Sequence, residues 1–278
     1  MRYLGGKFNQ LKDILDLMRE HRGVFETVVD VFGGAGTVLI NIPENWRVNR
    51  VYNDIDKELY TLFKVLQNDE KRNILIEKLK LAFPHEQVFK DLKTEKLKVD
   101  NDEEINTAFK LIYLHTYSYF GNNQGFMRYY KYSHINQPKI ENFIFVKNWT
   151  IENKDFRDIM RIYNKENVLL YLDPPYLRSG KKYNHSFSLD DFKDLKNILD
   201  NTKANYILNL SLFDKEMVDI FGKPNFIKNY KNPASNTVKS LDDRWEMGFW
   251  YKFNDKKSSK IISLDNLETV KNEDNGGN

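Results

Sequence analysis

The sequence predicts an α/β fold: a doubly wound, mostly parallel sheet interrupted by a mainly helical insertion. Three observations carry that reading. Short apolar runs rich in β-favouring residues alternate with helical segments along most of the chain. The alternation lapses between about Asp69 and Asn148, where helical patterns and an irregular basic stretch replace it. The run from Val168 to Leu172 ends abruptly at Asp173-Pro174-Pro175-Tyr176. Neither proline can donate a ladder hydrogen bond, so the strand stops there, at the edge where open parallel sheets bind ligands.

Taken in order, Thr27 to Phe32 (TVVDVF) reads as the first buried strand, Gly33 to Gly36 (GGAG) as its turn, and TVLINI as a helix opening at Thr37. A second strand, RVYNDI, ends at Asp54 and Ile55 and is followed by the amphipathic helix KELYTLFKVLQ. Helical pattern fills Glu70 to Phe83 and Glu104 to Phe120. The stretch Gly121 to Ser133 (GNNQGFMRYYKYS) has no period and interleaves Arg128 and Lys131 with three tyrosines. Asp155-Phe156 opens a helix ahead of the Val168 strand. Helix Ser188 to Asp200, strand Tyr206 to Leu210, helix Asp214 to Phe221, strand Asn225 to Tyr230 and a late aromatic strand, Trp245 to Phe253, follow. The expected organisation is a core domain of residues 1–68 and 149–254, an inserted domain of 69–148, and a polar, disordered tail of 255–278.

The chain has 278 residues, 41% hydrophobic and 14% aromatic, which excludes global disorder and suffices for one sizeable core plus an insertion. No run reaches the length of a membrane span, and MRYLGGKFNQ lacks the apolar stretch of a signal peptide. The absence of cysteine excludes disulfides and thiolate metal sites. The expectation is a cytoplasmic protein with no membrane role, a monomer or weak dimer. A net charge of +3 permits nucleic-acid binding without arguing for it, because that depends on a localised basic face.

The Asp-Pro-Pro-Tyr tip suits a particular chemistry. An exocyclic amine on a nucleobase is a poor nucleophile, because its lone pair is delocalised into the ring. Asp173 can accept one of its two N–H groups and the Pro174 carbonyl the other, which directs the lone pair at an electrophile held nearby. Pro175 stiffens the corner. Tyr176 offers a ring for the flat base, worth roughly 1–3 kcal/mol of stacking.

The strand, GGAG turn and helix at Thr37 form a nucleotide-cofactor cradle, in which Gly33, Gly34 and Gly36 let the backbone approach a ligand closely. Asp54 follows about twenty residues on, the spacing at which an acid accepts from ribose hydroxyls. GGAG lacks the G-x-G-x-x-G spacing that seats a pyrophosphate. A cofactor with ribose and no phosphate fits better. S-adenosyl-L-methionine is the candidate, since its sulfonium methyl is the electrophile that the amine site requires.

With these motifs in hand, the chain resembles the Dam-like, alpha-group DNA adenine N6-methyltransferases over most of Met1 to Phe253. RYLGGK at Arg2 to Lys7 resembles the family's amino-terminal cofactor motif, VDVFGGAG at Val29 to Gly36 its main cofactor loop, and YNDID at Tyr52 to Asp56 its ribose motif. KDF at Lys154 to Phe156 is similar to the motif whose Asp meets the cofactor's adenine amine, and DPPY is the catalytic motif. The resemblance implies a Rossmann-like methyltransferase fold with a target-recognition insertion. It also implies a cofactor site made by Tyr3, Gly6, Lys7, Asp30, Phe32, Gly33, Gly36, Asp54, Asp155 and Phe156. Two departures stand out: Tyr3 replaces the family's frequent Trp, and Leu208 to Asp214 (LNLSLFD) lacks the histidine of its Asn-His pair.

Methylating adenine inside a duplex requires extruding the base, at a cost of roughly a few kcal/mol. Tyr119, Asn122, Asn123, Arg128, Tyr129 and Lys131 combine amides that read adenine edges, an arginine suited to guanine, and stacking rings. Arg178 and Lys182, around Gly180, suit a basic flap that contacts phosphates. The expected activity is methyl transfer to adenine N6 in double-stranded DNA, without a metal, with a cognate restriction nuclease as a candidate partner. The rival readings are methylation of cytosine N4, an RNA base or a protein glutamine, and a non-catalytic DNA-binding relative.

Overall fold

The computed structural model describes residues 10–118, 125–127, 146–177, 187–231 and 244–255. In chain order these form α1 (Leu11–Glu20), β1 (Thr27–Asp30), α2 (Thr37–Asn41), β2 (Asn49–Asn53), α3 (Lys57–Gln67), α4 (Asp69–Lys80), α5 (Glu86–Lys93) and α6 (Glu103–Thr116). Then come β3 (Thr150–Glu152), α7 (Phe156–Ile162), β4 (Val168–Leu172), α8 (Leu189–Asn201), β5 (Asn205–Ser211), α9 (Glu216–Phe221), β6 (Phe226–Lys231) and β7 (Arg244–Lys252).

The strands make one seven-stranded sheet in the order β3-β2-β1-β4-β5-β7-β6. The first five in that order pair in parallel, and β7 runs antiparallel between β5 and β6. A parallel strand covered on both faces reads as a continuous apolar run. β4, VLLYL, is buried at all five positions for that reason. Alternate residues feed two cores. Val28, Leu169, Tyr171 and Ile207 face one that contains Ile14, Leu17 and Met18 of α1, Leu39 of α2 and most of α3. Val29, Leu170, Leu172 and Leu208 face the other, beneath α7, α8 and α9. Helices therefore cover both faces, and the expected doubly wound, mostly parallel sheet is borne out. Each fully buried Val or Leu contributes about 1.5–3 kcal/mol.

Within the expected insertion, α4 and α6 pack on α3 and α5 packs on α6, and the three join the first core through Leu75, Phe89, Leu92, Ala108, Phe109 and Ile112. The chain returns to the sheet at Trp149, whose ring lies against Phe63 with centroids 6.1 Å apart. Three elements lie outside the sequence expectation: α1, α5 and the edge strand β3. The last is three residues long, one exposed and two half-buried, and too short to show a period. β1 also ends at Asp30, two residues early, because Val31 and Phe32 already belong to the turn.

Strand order places the chemistry. The sheet runs from β1 outward to β2 on one side and to β4 on the other, so the order reverses between β1 and β4. Ligands of open α/β sheets bind at the carboxyl ends of the strands flanking such a switch point. Here those ends carry GGAG and Asp-Pro-Pro-Tyr.

Candidate active site

The turn after β1 is fixed to both neighbouring strands. The Val31 amide donates to the Tyr171 carbonyl at 3.0 Å, and the Gly33 amide donates to the Asn53 carbonyl at 2.7 Å. Tyr52 is fully buried, stacks on Phe63 at 3.9 Å, and donates its hydroxyl to the Gly34 carbonyl at 2.8 Å. A side chain at position 33 would enter that ring: a Cβ there lies 2.3 Å from Tyr52 Cε2. Gly36 has φ +68, which L-residues rarely adopt, and it starts α2. Asp54 closes the turn from β2. Its Oδ2 accepts from the Gly34 amide and its Oδ1 from the Asp56 amide, each at 2.8 Å.

Two asparagines bring the KDF segment to the same edge. Asn53, itself buried, donates Nδ2 to the carbonyls of Val31 and Lys154 at 2.9 and 3.1 Å and accepts from the Lys154 amide at 2.9 Å. Asn153 donates to the carbonyls of Asp54 and Ile55 at 2.7 and 2.9 Å. Asp155 therefore follows directly from a segment clamped to Asp54, and its Oδ1 accepts from the Arg157 amide at 2.9 Å as the cap of α7. Phe156 is buried, 5.9 Å from Phe32 and 5.2 Å from Phe187, and Phe187 meets Phe32 edge-on at 5.5 Å.

At the tip of β4, Asp173 and Tyr176 are half-buried and Pro174 is buried. Asp30, 2% exposed at the tip of β1, has its carboxyl pushed well up, first by burial and then by the negative charges of Asp173 and Asp54, against one hydrogen bond from the Phe32 amide. The Tyr171 hydroxyl is likewise pushed up by burial, Asp173 and Asp30. Asp30 Oδ1, Tyr171 Oη and both amide atoms of Asn209 are buried without a partner. Asn209 lies on β5, one residue beyond the Leu172–Leu208 pairing and so beside the Asp173 tip. Unpartnered buried polar atoms cost about 1–3 kcal/mol each and are expected where a site awaits a ligand.

Of the residues singled out in the sequence, Asp30, Phe32, Gly33, Gly34, Gly36, Asp54, Asp155, Phe156 and Asp173 to Tyr176 thus lie at one edge of the sheet. Tyr3, Gly6, Lys7, Tyr119, Asn122, Asn123, Arg128, Tyr129, Lys131, Arg178 and Lys182 lie outside the described residues, as does most of the tail. The sequence reading did not single out Asn53, Asn153, Arg157, Phe187 or Asn209. The two asparagines directly precede Asp54 and the KDF motif, Arg157 directly follows that motif, and Asn209 lies in the LNLSLFD segment, all local signals; Phe187 reaches the site only through packing.

A family model described as D12 class N6 adenine-specific DNA methyltransferase matches residues 3–221, most of the chain. The chain belongs to that family. Members are adenine-specific DNA methyltransferases, so the chain is an enzyme acting on DNA, and the expectation of adenine N6 methylation is borne out. It is 23% identical over 247 residues to the type II methyltransferase M.CviBI of Paramecium bursaria Chlorella virus NC1A, covering 83% of this chain and 90% of that one. It is 24% identical over 274 residues to a putative methyltransferase of Haemophilus influenzae, covering 90% of each. Among solved structures, the putative methyltransferase yhhF from Escherichia coli aligns with a TM-score of 0.35 at 9% identity, covering 92% of this chain and 99% of that one. A likeness that low carries no argument. No helix among the described residues is long and apolar enough to cross a membrane.

Proposed function

We propose that this D12-family enzyme uses S-adenosylmethionine as methyl donor and methylates N6 of an adenine everted from duplex DNA, with Asp173 and the Pro174 carbonyl holding the amine. The observation that carries the reading is the adjacency of the GGAG turn and the Asp-Pro-Pro-Tyr tip, on neighbouring parallel strands either side of the switch point.

The residues present fit such a donor. Asp30 Oδ1 is buried without a partner between the negative charges of Asp54 and Asp173, and those two charges suit a cationic ligand. Asp54 keeps acceptor capacity for ribose hydroxyls, since a carboxylate offers about four lone-pair sites. Asp155 can accept from an adenine amine beside the rings of Phe32 and Phe156. When bound, the cofactor supplies an electrophilic methyl on positively charged sulfur.

On the acceptor side, Asp173 accepts one N6–H and the Pro174 carbonyl accepts the other, which favours a pyramidal nitrogen whose lone pair is withdrawn from conjugation with the ring and aimed at the methyl. Tyr176 stacks on the extruded base. As the nitrogen takes on positive charge its proton becomes acidic, and Asp173 is the neighbouring acceptor. The rigid proline corner keeps these acceptors in place, which lowers the entropic part of the barrier. The type II designation of the viral relative supports a restriction nuclease as a cognate partner.

The test is transfer of labelled methyl from S-adenosylmethionine to adenine-containing duplexes. We expect labelled N6-methyladenine from the wild type and no turnover from Asp173→Ala, whose affinity for S-adenosylhomocysteine stays within about threefold, under 1 kcal/mol. A wild type that binds the cofactor but methylates no DNA, or an Asp173→Ala enzyme that still turns over, refutes the assignment.

A further inference from the structure

The side chain of Arg157 gathers three carboxylates from two helices and an aromatic face. It is the second residue of α7. Its Nη1 lies 3.3 Å from both oxygens of Asp155, the cap of its own helix. Its Nε and Nη2 donate to Asp194 Oδ2 at 2.9 and 2.7 Å, and Nη2 also donates to Asp191 Oδ1. The guanidinium carbon stands 4.3 Å from the centroid of the Phe156 ring. Asp191 is fixed in turn: its Oδ2 accepts from the Ser188 amide at 2.8 Å, closing the capping box that starts α8.

We infer that Arg157 is a positioning residue for the adenine end of the cofactor site, holding the Asp155 carboxylate against Phe156 by anchoring it to the first turn of α8. This rests on the cofactor reading given above. The physical reason is geometric. A capping aspartate held by one backbone amide can still swing about its side-chain torsions, whereas a planar guanidinium bound to a second helix gives it a second, directional anchor. A carboxylate that must meet an exocyclic amine gains from being held in advance. The charge balance points the same way. Three carboxylates against one guanidinium leave the cluster net negative, which suits an N–H donor and rejects an anion. Asp191, in the first turn of α8, also favours the positive end of the helix dipole, so the anchor stands without the ligand.

The experiment measures binding of S-adenosylhomocysteine and of S-inosylhomocysteine, in which a carbonyl replaces the adenine amine, to the full chain by calorimetry. The wild type is expected to prefer the amine-bearing ligand by about tenfold or more, since an acceptor that the bound ligand covers is left unpaired when the donor is missing. In Arg157→Gln that preference is expected to shrink to within about threefold, whatever the change in overall affinity. Asp191→Asn removes an anchor on α8 without touching Asp155, and is expected to shrink the preference in the same direction. It also carries the test if Arg157→Gln does not fold. A merely structural role would weaken both ligands equally, so an unchanged preference in a folded Arg157→Gln, or in Asp191→Asn where that variant is the one that folds, overturns the inference and leaves the cofactor reading standing. A wild type that binds neither ligand overturns both.

Discussion

Gly33→Ala probes how the cofactor turn is built. The added Cβ would lie 2.3, 2.6 and 2.9 Å from Cε2, Cδ2 and Cζ of Tyr52, all far inside van der Waals contact. The backbone at position 33 cannot retreat without losing its 2.7 Å hydrogen bond to the Asn53 carbonyl. The ring cannot step aside cheaply either, because it is stacked on Phe63 at 3.9 Å and its hydroxyl is bonded to Gly34 at 2.8 Å. Overpacking a buried site costs about 1–3 kcal/mol, and a broken hydrogen bond adds about 1 kcal/mol. The expected loss is therefore about 2–4 kcal/mol, read as a lower urea midpoint at unchanged slope. Tyr52→Phe should cost only about 1 kcal/mol, the hydrogen bond alone. In a Tyr52→Leu background, the alanine should cost clearly less than in the wild type, because the ring it strikes is gone. A loss below about 0.5 kcal/mol for Gly33→Ala, or strict additivity in the double variant, refutes the account of the turn.

Asp54→Ala should raise the Km for S-adenosylmethionine by about tenfold or more with kcat much less affected, since a ribose acceptor and the brace on Gly34 go together; unchanged cofactor affinity removes Asp54 from the site. Asp30 holds its proton when folded at pH values where the unfolded chain has lost it, so it contributes stability that is full below the ordinary aspartate range and is lost as pH rises through its raised folded value. Asp30→Asn should flatten that decline, and parallel stability–pH profiles for the two proteins would falsify the assignment. Asn209→Val removes two unpartnered buried atoms and should stabilise the fold by about 1–3 kcal/mol while slowing methyl transfer. Thermal unfolding and the labelled-methyl assay measure the two effects, and a destabilised variant with full activity contradicts the reading.

Much of the site was readable because it depends on short segments. Pro174 and Pro175 stop β4 by their own covalent structure, and Gly36 starts α2 with a backbone few other residues tolerate. β4 and α3 lie where the sequence pattern put them. β3 was not readable, since one exposed and two half-buried residues become a strand only through pairing with β2. Nor was α5, eight residues long and ordered by Phe89 and Leu92 entering the shared core. Asn209 looks like any polar residue near a strand end until burial leaves its amide without a partner.

By itself, the sequence determined the chemical inventory: an acid and two prolines at a strand end, a glycine turn, an acid twenty residues later, and the α/β alternation that carries them. Those features act over a few residues, through backbone torsions and apolar periodicity, so they survive without knowledge of the fold. The tertiary structure alone decided that β1 and β4 are neighbours, that Asp30 is stripped of water beside two other carboxylates, and that Arg157 joins Asp155 to a helix more than thirty residues away. Strand order and burial arise from contacts between distant segments, and no local pattern encodes which of those contacts will form.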